Sequence, residues 1–312
     1  MKVILANPRG FCAGVNMAID CVDEVLKLKG PPVYVYHEIV HNRHVVEGFE
    51  GRGVTFVSDV RDVPEGAVLV YSAHGISPAI RAEAKRRRLI EVDATCPLVT
   101  KVHIEVLRFA RHGYQIIFIG HKNHDEAVGT VGEAPDSIIV VESPADVAKL
   151  NVRDPQKLAY VTQTTLSLSD ASAIIAALKQ RFPNIKAPPK EDICYATTNR
   201  QSAVTDLADE ADVVLVVGSQ NSSNSRRLVE TANIAGKTGH LIDDASELDP
   251  AWLKGAESVL VTAGASAPEH LVQGLLDRLR QEFGADVESR TLVEEDVAFE
   301  LPRSLRSLAV VN

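Results

Sequence analysis

Twelve short apolar runs, separated for the most part by helical patterns, commit this chain to α/β architecture. Runs such as "KVILAN", "YQIIFIG" and "DVVLVVGS" are apolar almost throughout, as in strands of a parallel sheet covered on both faces. Between the first two runs, "CAGVNMAIDCVDEVLKLKG" sets Val15, Ala18, Ile19, Val22, Val25 and Leu26 on one helical face, and Gly30 with two prolines stops it. Three times a strand runs into a loop with one cysteine and then a helix: "ILANPRGFCAGV", "IEVDATCPLVTKV" and "EDICYATTNRQSAV". Cys12, Cys96 and Cys194 are thus 84 and 98 residues apart, one in each third of the chain. A second strand ends in a polar loop 28 or 29 residues after each cysteine, giving "YHEIVHNRH", "IGHKNHDEAVGT" and "VGSQNSSNSRR". A third strand and loop follow, "VYSAHGIS", "VTQTTLSLS" and "VTAGASAP".

This repeated order predicts three small α/β lobes with mainly parallel sheets: residues 14–96, residues 97–193, and residues 1–13 plus 194–281. Residues 282–312 form a C-terminal segment to which no chemistry is assigned. Open α/β sheets bind ligands at the carboxyl ends of their strands. A pseudo-threefold arrangement would bring the three cysteines together there and surround them with His, Ser, Thr and Asn side chains.

Composition removes several classes of function. A net charge of −9 and 5% aromatic residues argue against a nucleic-acid partner. The basic run "KRRR" at 85–88 continues a helical pattern and reads as a solvated face. No apolar run approaches the roughly 18 residues of a membrane helix, and "MKVILANPRG" is too short and too soon broken for a signal peptide. The expectation is a cytoplasmic protein without a membrane partner. Four scattered cysteines do not make a disulfide framework.

Three convergent thiolates form a soft metal site. Zinc would take a fourth protein ligand or keep one position open; a cubane iron–sulfur cluster on three cysteines would leave one iron free for substrate. The residues by themselves leave both open, and the absence of ferredoxin spacings argues against a pure electron carrier. Cys21 falls on the inward face of the first helix and reads as core. A second constellation, Ser222, Ser223 and Asn224 at a strand-to-helix turn with Ser266 in a similar turn, offers hydroxyls and backbone N–H groups to an anion. With His41, His74 and His124 from the matching loops it suits a diphosphate. "GKT" at 236–238 is no Walker motif, since Thr231 stands where its first glycine belongs. The sequon at Asn221 is set aside for want of a secretory signal. The third constellation is a proton source: Glu126, two residues from His124, with Thr164 and Thr165 as hydroxyl relays. His37, His44, His103, His112, His121, His240 and His270 read as surface or packing residues.

Together "NPRGFCAGV", "EIVHNR", "SAHGIS", "DATCPLVTKVH", "TQTTLS", "DICYATTNRQ", "VVGSQNSSNSRRL" and "TAGASAPE" resemble the 4-hydroxy-3-methylbut-2-enyl diphosphate reductases of the non-mevalonate isoprenoid pathway, over nearly the whole chain. The resemblance implies reductive removal of the substrate's allylic hydroxyl with two electrons and protons, giving isopentenyl and dimethylallyl diphosphates. It implies one [4Fe–4S] cluster per chain on Cys12, Cys96 and Cys194, with the substrate hydroxyl on the fourth iron at the centre of the three lobes. It assigns the diphosphate to His41, His74, His124, Ser222, Asn224 and Ser266, with Ser223 adjoining and Thr165 close by. Glu126 would deliver the proton, with Thr164 orienting the hydroxyl. Protonation of an allyl anion-like fragment at either end accounts for two products. The electron donor would be a carrier such as ferredoxin or flavodoxin. The sequence departs from the family's "HPEV" in one place, reading "HDEA" with Asp125 and Ala127. Two other readings compete, an iron–sulfur redox sensor and a zinc-dependent hydrolase of a phosphorylated substrate.

Overall fold

The computed structural model describes residues 1–310. Strand β1 (Lys2–Asn7) leads into α1 (Ala13–Lys29), followed by β2 (Val33–Tyr36), α2 (Arg43–Glu50), β3 (Val54–Val57), β4 (Val68–Tyr71), α3 (Pro78–Arg86) and β5 (Ile90–Asp93). The middle of the chain holds α4 (Pro97–Arg111), β6 (Gln115–Ile119), α5 (Asp125–Glu133), β7 (Ile138–Val141), α6 (Pro144–Lys149), β8 (Leu158–Thr162) and α7 (Leu168–Arg181). The last third holds α8 (Tyr195–Leu207), β9 (Val213–Val217), α9 (Ser223–Ile234), β10 (Thr238–Ile242), β11 (Ser258–Ala263), α10 (Glu269–Phe283), β12 (Asp286–Thr291) and α11 (Arg303–Val310).

The strands form three sheets, of order β3-β2-β4-β5, β7-β6-β8 and β10-β9-β11-β1-β12, and every pairing in them is parallel. The α/β class and the three parallel sheets expected from the sequence are therefore present. Contacts divide the chain into two compact units. One comprises Met1–Val15, His41–Val46 and Tyr195–Val297 and contains the five-stranded sheet; the other comprises Asn16–Val40, Glu47–Cys194 and Ala298–Asn312 and contains the two smaller sheets.

Within the five-stranded unit, β9 and β11 are covered on both faces. Leu215, Val217, Val259 and Val261 pack on Leu271, Val272, Leu275 and Leu279 of α10, while Val214, Val216 and Leu260 pack on Val204, Leu207 and Leu228 of α8 and α9. Each such side chain contributes about 1.5–3 kcal/mol relative to exposure, which is why these strands need no alternation of apolar and polar residues. In the other unit, Ile117 and Ile119 of β6 face Ala171, Ile174 and Leu178 of α7, and Ile116 and Phe118 face Val102 and Val106 of α4. Cys21 is fully buried, and burial pushes its thiol up to about 12, as befits a core residue rather than a ligand.

Two elements differ from the expected pattern. "EDICYAT" forms no strand: α8 begins at Tyr195, and Cys194 is preceded by irregular chain. Pro188 and Pro189 lack the N–H groups a ladder requires, and Asp192 turns its carboxylate inward to accept the Thr162 N–H at 3.0 Å and the Lys101 ammonium at 3.0 Å. Beyond residue 281, β12 adds an edge to the five-stranded sheet by pairing in parallel with β1. Among the described residues no helix is long and apolar enough to cross a membrane.

Candidate active site

In the unit with the two smaller sheets, the loop from β6 ends at His124, and the first turn of α5 carries Glu126. Gly120 opens the loop where a Cβ would stand 2.5 Å from the Phe118 ring. His124 caps α5 from an extended conformation, its Nδ1 accepting the Glu126 N–H at 3.1 Å. That bond fixes the tautomer, because an Nδ1 that accepts leaves the ring proton on Nε2. Glu126 is 1% exposed. The Thr164 N–H donates to its Oε1 at 2.6 Å, and the Thr164 hydroxyl donates to Oε2 at 2.9 Å. Burial raises the Glu126 pKa to about 7; the two Thr164 donors oppose the rise and the Asp192 carboxylate adds to it. A carboxyl in that condition exchanges a proton near neutral pH.

Close backbone approach adds His74 to this pocket. Gly129 and Gly132 of α5 lie against the loop after β4, where a Cβ on Gly129 would come 3.3 Å from the Gly75 carbonyl and one on Gly132 would come 2.3 Å from Ser77 Cβ. Gly75 itself has φ +80°. The His74 and His124 rings consequently meet edge to face, centroids 5.8 Å apart. Two cysteines are anchored to the same framework by their amides. Cys96, at the cap position of α4 with Pro97 after it, donates its N–H to Ala73 O at 3.0 Å. Cys194 donates its N–H to Thr164 O at 3.0 Å. Thr164 thus holds Glu126 with two of its polar groups and Cys194 with the third. Thr165 accepts the Gln163 amide at 3.0 Å. Asp125 opens α5 with its carboxylate 2.7 Å from His37 Nδ1, and Ala127 is wholly buried. The sequence departures therefore put a charged tether and a small core residue on either side of Glu126.

The five-stranded unit holds the remaining candidates. The Cys12 N–H donates to Ala265 O at 3.2 Å, and the Ala13 N–H to the Tyr195 hydroxyl at 3.2 Å. Gly10, at φ +64°, leaves no room for a side chain against Ala267 O. Ser222, Ser223, Asn224 and Ser266 are all nearly inaccessible. Ser222 caps α9 and accepts from the Ser225 N–H at 3.3 Å and from the Ser225 hydroxyl at 3.0 Å, with the Ser266 oxygen 3.4 Å away. An oxygen already accepting these bonds keeps its own O–H to donate. Asn224 takes the Ala265 N–H at 2.8 Å and donates to Thr197 at 3.3 Å, retaining one amide hydrogen. Ser266 also reaches His41 O at 2.9 Å. Gly218 and Gly264 make room for Ser225 between them, since a Cβ on either would come within 2.2 Å of its hydroxyl. The turn is rich in donors, contains no carboxylate among these residues, and opens a twelve-residue helix, which suits phosphate oxygens.

Cys12, Cys96 and Cys194 are half-buried, whereas Cys21 is closed off. Three thiols at first helical turns, held by their backbones, are donors of the soft kind that iron–sulfur clusters take. Sequence reasoning missed Asp192, Lys101, Gln163 and Thr197. All four lie inside motifs quoted above, and only burial distinguishes Gln163 and Thr197. The Lys101–Asp192 pair joins residues 91 apart and leaves no local pattern.

A LytB protein family profile matches residues 3–280. The chain is 56% identical over 309 residues to the 4-hydroxy-3-methylbut-2-enyl diphosphate reductase of Rhodopirellula baltica, covering 99% of this chain and 97% of that one. It is 55% identical to the reductase of the same name from Actinobacillus succinogenes, with 98% of each chain covered. A solved structure of the E-1-hydroxy-2-methyl-but-2-enyl-4-diphosphate reductase from Plasmodium falciparum superposes with a TM-score of 0.96 at 44% identity, covering 98% and 97% of the two chains. A second solved structure, of an (E)-4-hydroxy-3-methyl-but-2-enyl diphosphate reductase, gives a TM-score of 0.64 at 32% identity over 90% of this chain and 100% of that one. By these matches the chain is an oxidoreductase and belongs to the LytB protein family.

Proposed function

We propose that this enzyme reduces 4-hydroxy-3-methylbut-2-enyl diphosphate to isopentenyl and dimethylallyl diphosphates. The observation that carries the reading is Glu126, a carboxyl buried beside Thr164 with its pKa raised to about 7, in a chain more than half identical to reductases of that name. In the overall step the allylic C–O bond breaks, two electrons enter the carbon fragment, one proton leaves with the oxygen as water and a second is added to carbon. On this reading Cys12, Cys96 and Cys194 hold one [4Fe–4S] cluster, which when bound supplies the electrons and a Lewis-acidic iron for the hydroxyl oxygen.

The chain's own residues do the rest. The Thr164 N–H is an obligatory donor, so Oε1 of Glu126 stays an acceptor and the proton resides on Oε2, against the Thr164 hydroxyl. That hydroxyl reverses its bond when Oε2 is protonated and so relays the proton to a substrate oxygen. Ser222 and Asn224, with Ser223 adjoining, donate to the diphosphate together with His41, His74 and His124, and Ser266 does so once its hydroxyl turns from His41 O; the His124 tautomer presents Nε2–H. Thr165, held by Gln163, completes the polar wall. Burial of Glu126 and of the serine turn excludes water that would otherwise compete for the proton. Electrons come from a small carrier of the ferredoxin or flavodoxin kind. Four cysteines scattered at 12, 21, 96 and 194, without the spacing of a disulfide framework, suit a reducing compartment, the cytoplasm.

The test is iron, acid-labile sulfide and zinc per chain on protein purified without oxygen, followed by turnover of the allylic diphosphate with an artificial one-electron reductant. Iron and sulfide near four each, with both products formed, support the reading. Zinc without sulfide, in fresh and reconstituted protein alike, overturns it.

A further inference from the structure

Arg200 is the largest fully buried side chain among the described residues, and nothing in the reaction calls for it. A guanidinium out of water is tolerated only when paired and fully hydrogen-bonded. Its Nη2 donates to Gly10 O at 2.8 Å and its Nε to the same oxygen at 3.2 Å, while Nη1 donates to Ala196 O at 3.0 Å. The charge is met by Glu295, whose Oε1 lies 2.9 Å from Nη1 and Oε2 3.2 Å from Nη2. The Asn199 amide adds a third bond to Glu295 at 3.0 Å. Gly10, at φ +64°, is two residues before Cys12, and it is the residue of the loop whose carbonyl Arg200 holds, beside Arg9, which is tied to Glu269 at 2.6 Å. Glu295 lies in the segment after β12, the part of the chain that carries no motif. All of these contacts fall within the five-stranded unit.

We propose that Glu295 is a positioning residue for the loop that presents Cys12, acting through Arg200. The carboxylate neutralises and orients the guanidinium, and the guanidinium fixes the Gly10 carbonyl. The Cys12 N–H then reaches Ala265 O and the Ala13 N–H reaches Tyr195. Without the carboxylate, the buried charge has no counterpart and draws water, and the loop loses its fixed end. The C-terminal segment is thereby part of the metal-holding apparatus although it supplies no ligand. The consequence for metal rests on the reading that Cys12 is a cluster ligand; the tie to the loop does not.

The test compares wild type with Glu295→Gln, which keeps size and removes charge, and with Leu279→Ala, a core truncation of α10 in the same unit. Hydrogen exchange at the Cys12 and Ala13 amides is measured relative to the amides of Val259 to Val261 in β11, on the anaerobically purified protein. Glu295→Gln is expected to raise that ratio about tenfold or more, whereas Leu279→Ala raises all the rates together and leaves the ratio unchanged. An unchanged ratio in Glu295→Gln, or an equal rise in Leu279→Ala, overturns the proposal. Iron loss to a chelator is the second readout: about tenfold faster in Glu295→Gln and near wild type in Leu279→Ala. Equal loss in Glu295→Gln and wild type overturns the metal consequence. Wild type without iron instead overturns the cofactor reading, with the exchange ratio still deciding the tie. If Glu295→Gln does not accumulate folded, Glu295→Asp, which retains charge but shortens the reach, enters the same comparison.

Discussion

The Glu126 pocket and the serine turn solve opposite electrostatic problems. Glu126 is a single carboxyl in a dry surrounding, given two donors from one residue and no cation. The turn at Ser222 gathers hydroxyls, an amide and a helix N-terminus and pairs them with one another. Deprivation keeps a proton at neutral pH in the first; surplus donors await an anion in the second. The difference teaches that burial raises reactivity where partners are few and builds a binding surface where partners are many.

The largest effect expected from breaking this contrast is in turnover. Glu126→Gln should lower kcat by about 10²–10⁴ while leaving iron content and KM near wild type, checked by steady-state kinetics under argon. A variant with near-normal kcat would end the assignment of Glu126 as the acid. The same substitution should have the opposite effect on folding. The Glu126 pKa is raised on folding from 4.5 to about 7, so its protonated form stabilises the fold below the unfolded value and that contribution is lost as pH rises through about 7. Relative to wild type, Glu126→Gln should therefore gain up to ~3 kcal/mol between about pH 4.5 and 7, measured by denaturant unfolding of the metal-free protein across that range.

Asn224→Ala should raise KM about ten- to a hundredfold and leave the kcat pH profile in place, since it strips a donor from the turn and leaves the Ala265 N–H unpaired. A shifted profile would mean that the two regions are not separable. Thr164→Val keeps the backbone donor and removes the hydroxyl that lowers the Glu126 pKa. With the relay gone kcat should fall by about tenfold, and the alkaline limb of what remains should move up by about one pH unit or less; a downward move would reverse the assigned role. The smallest effect belongs to Asp125→Asn. His37 and Asp125 are both partly exposed, so melting should change by no more than about 1 kcal/mol and kcat by about twofold.

Much of this was legible in the sequence because strands such as β6 and β9 are buried on both faces and write continuous apolar runs. β12 left no such trace: "DVESRT" is an edge strand held by its backbone on β1, with mostly exposed side chains. "EDICYAT" misled for the converse reason. Its short apolar stretch looks like a strand, but an ion pair between the partly exposed Lys101 and the buried Asp192 takes the place of a ladder. Glu126, Thr164 and the serine turn could be named from their loops. Asp192 could not be recognised as a second carboxylate acting on Glu126, nor Arg200 as the partner of Glu295. Those relations join residues brought close only by folding, and composition and period do not record them.

The meeting of α5 with the loop at Gly75 also has a bearing on heat. That contact is made largely by backbone, through Gly75 and Gly129, with the short Ser77 side chain against Gly132, so few rotamers lie between the His74 loop and the helix that carries Glu126. Warming frees side chains to hop between wells, but here there is little to free. The spacing of the two imidazoles at the head of the site should thus hold nearly constant with temperature until the unit itself opens, and a gradual loss of activity below melting would have its origin in another part of the molecule.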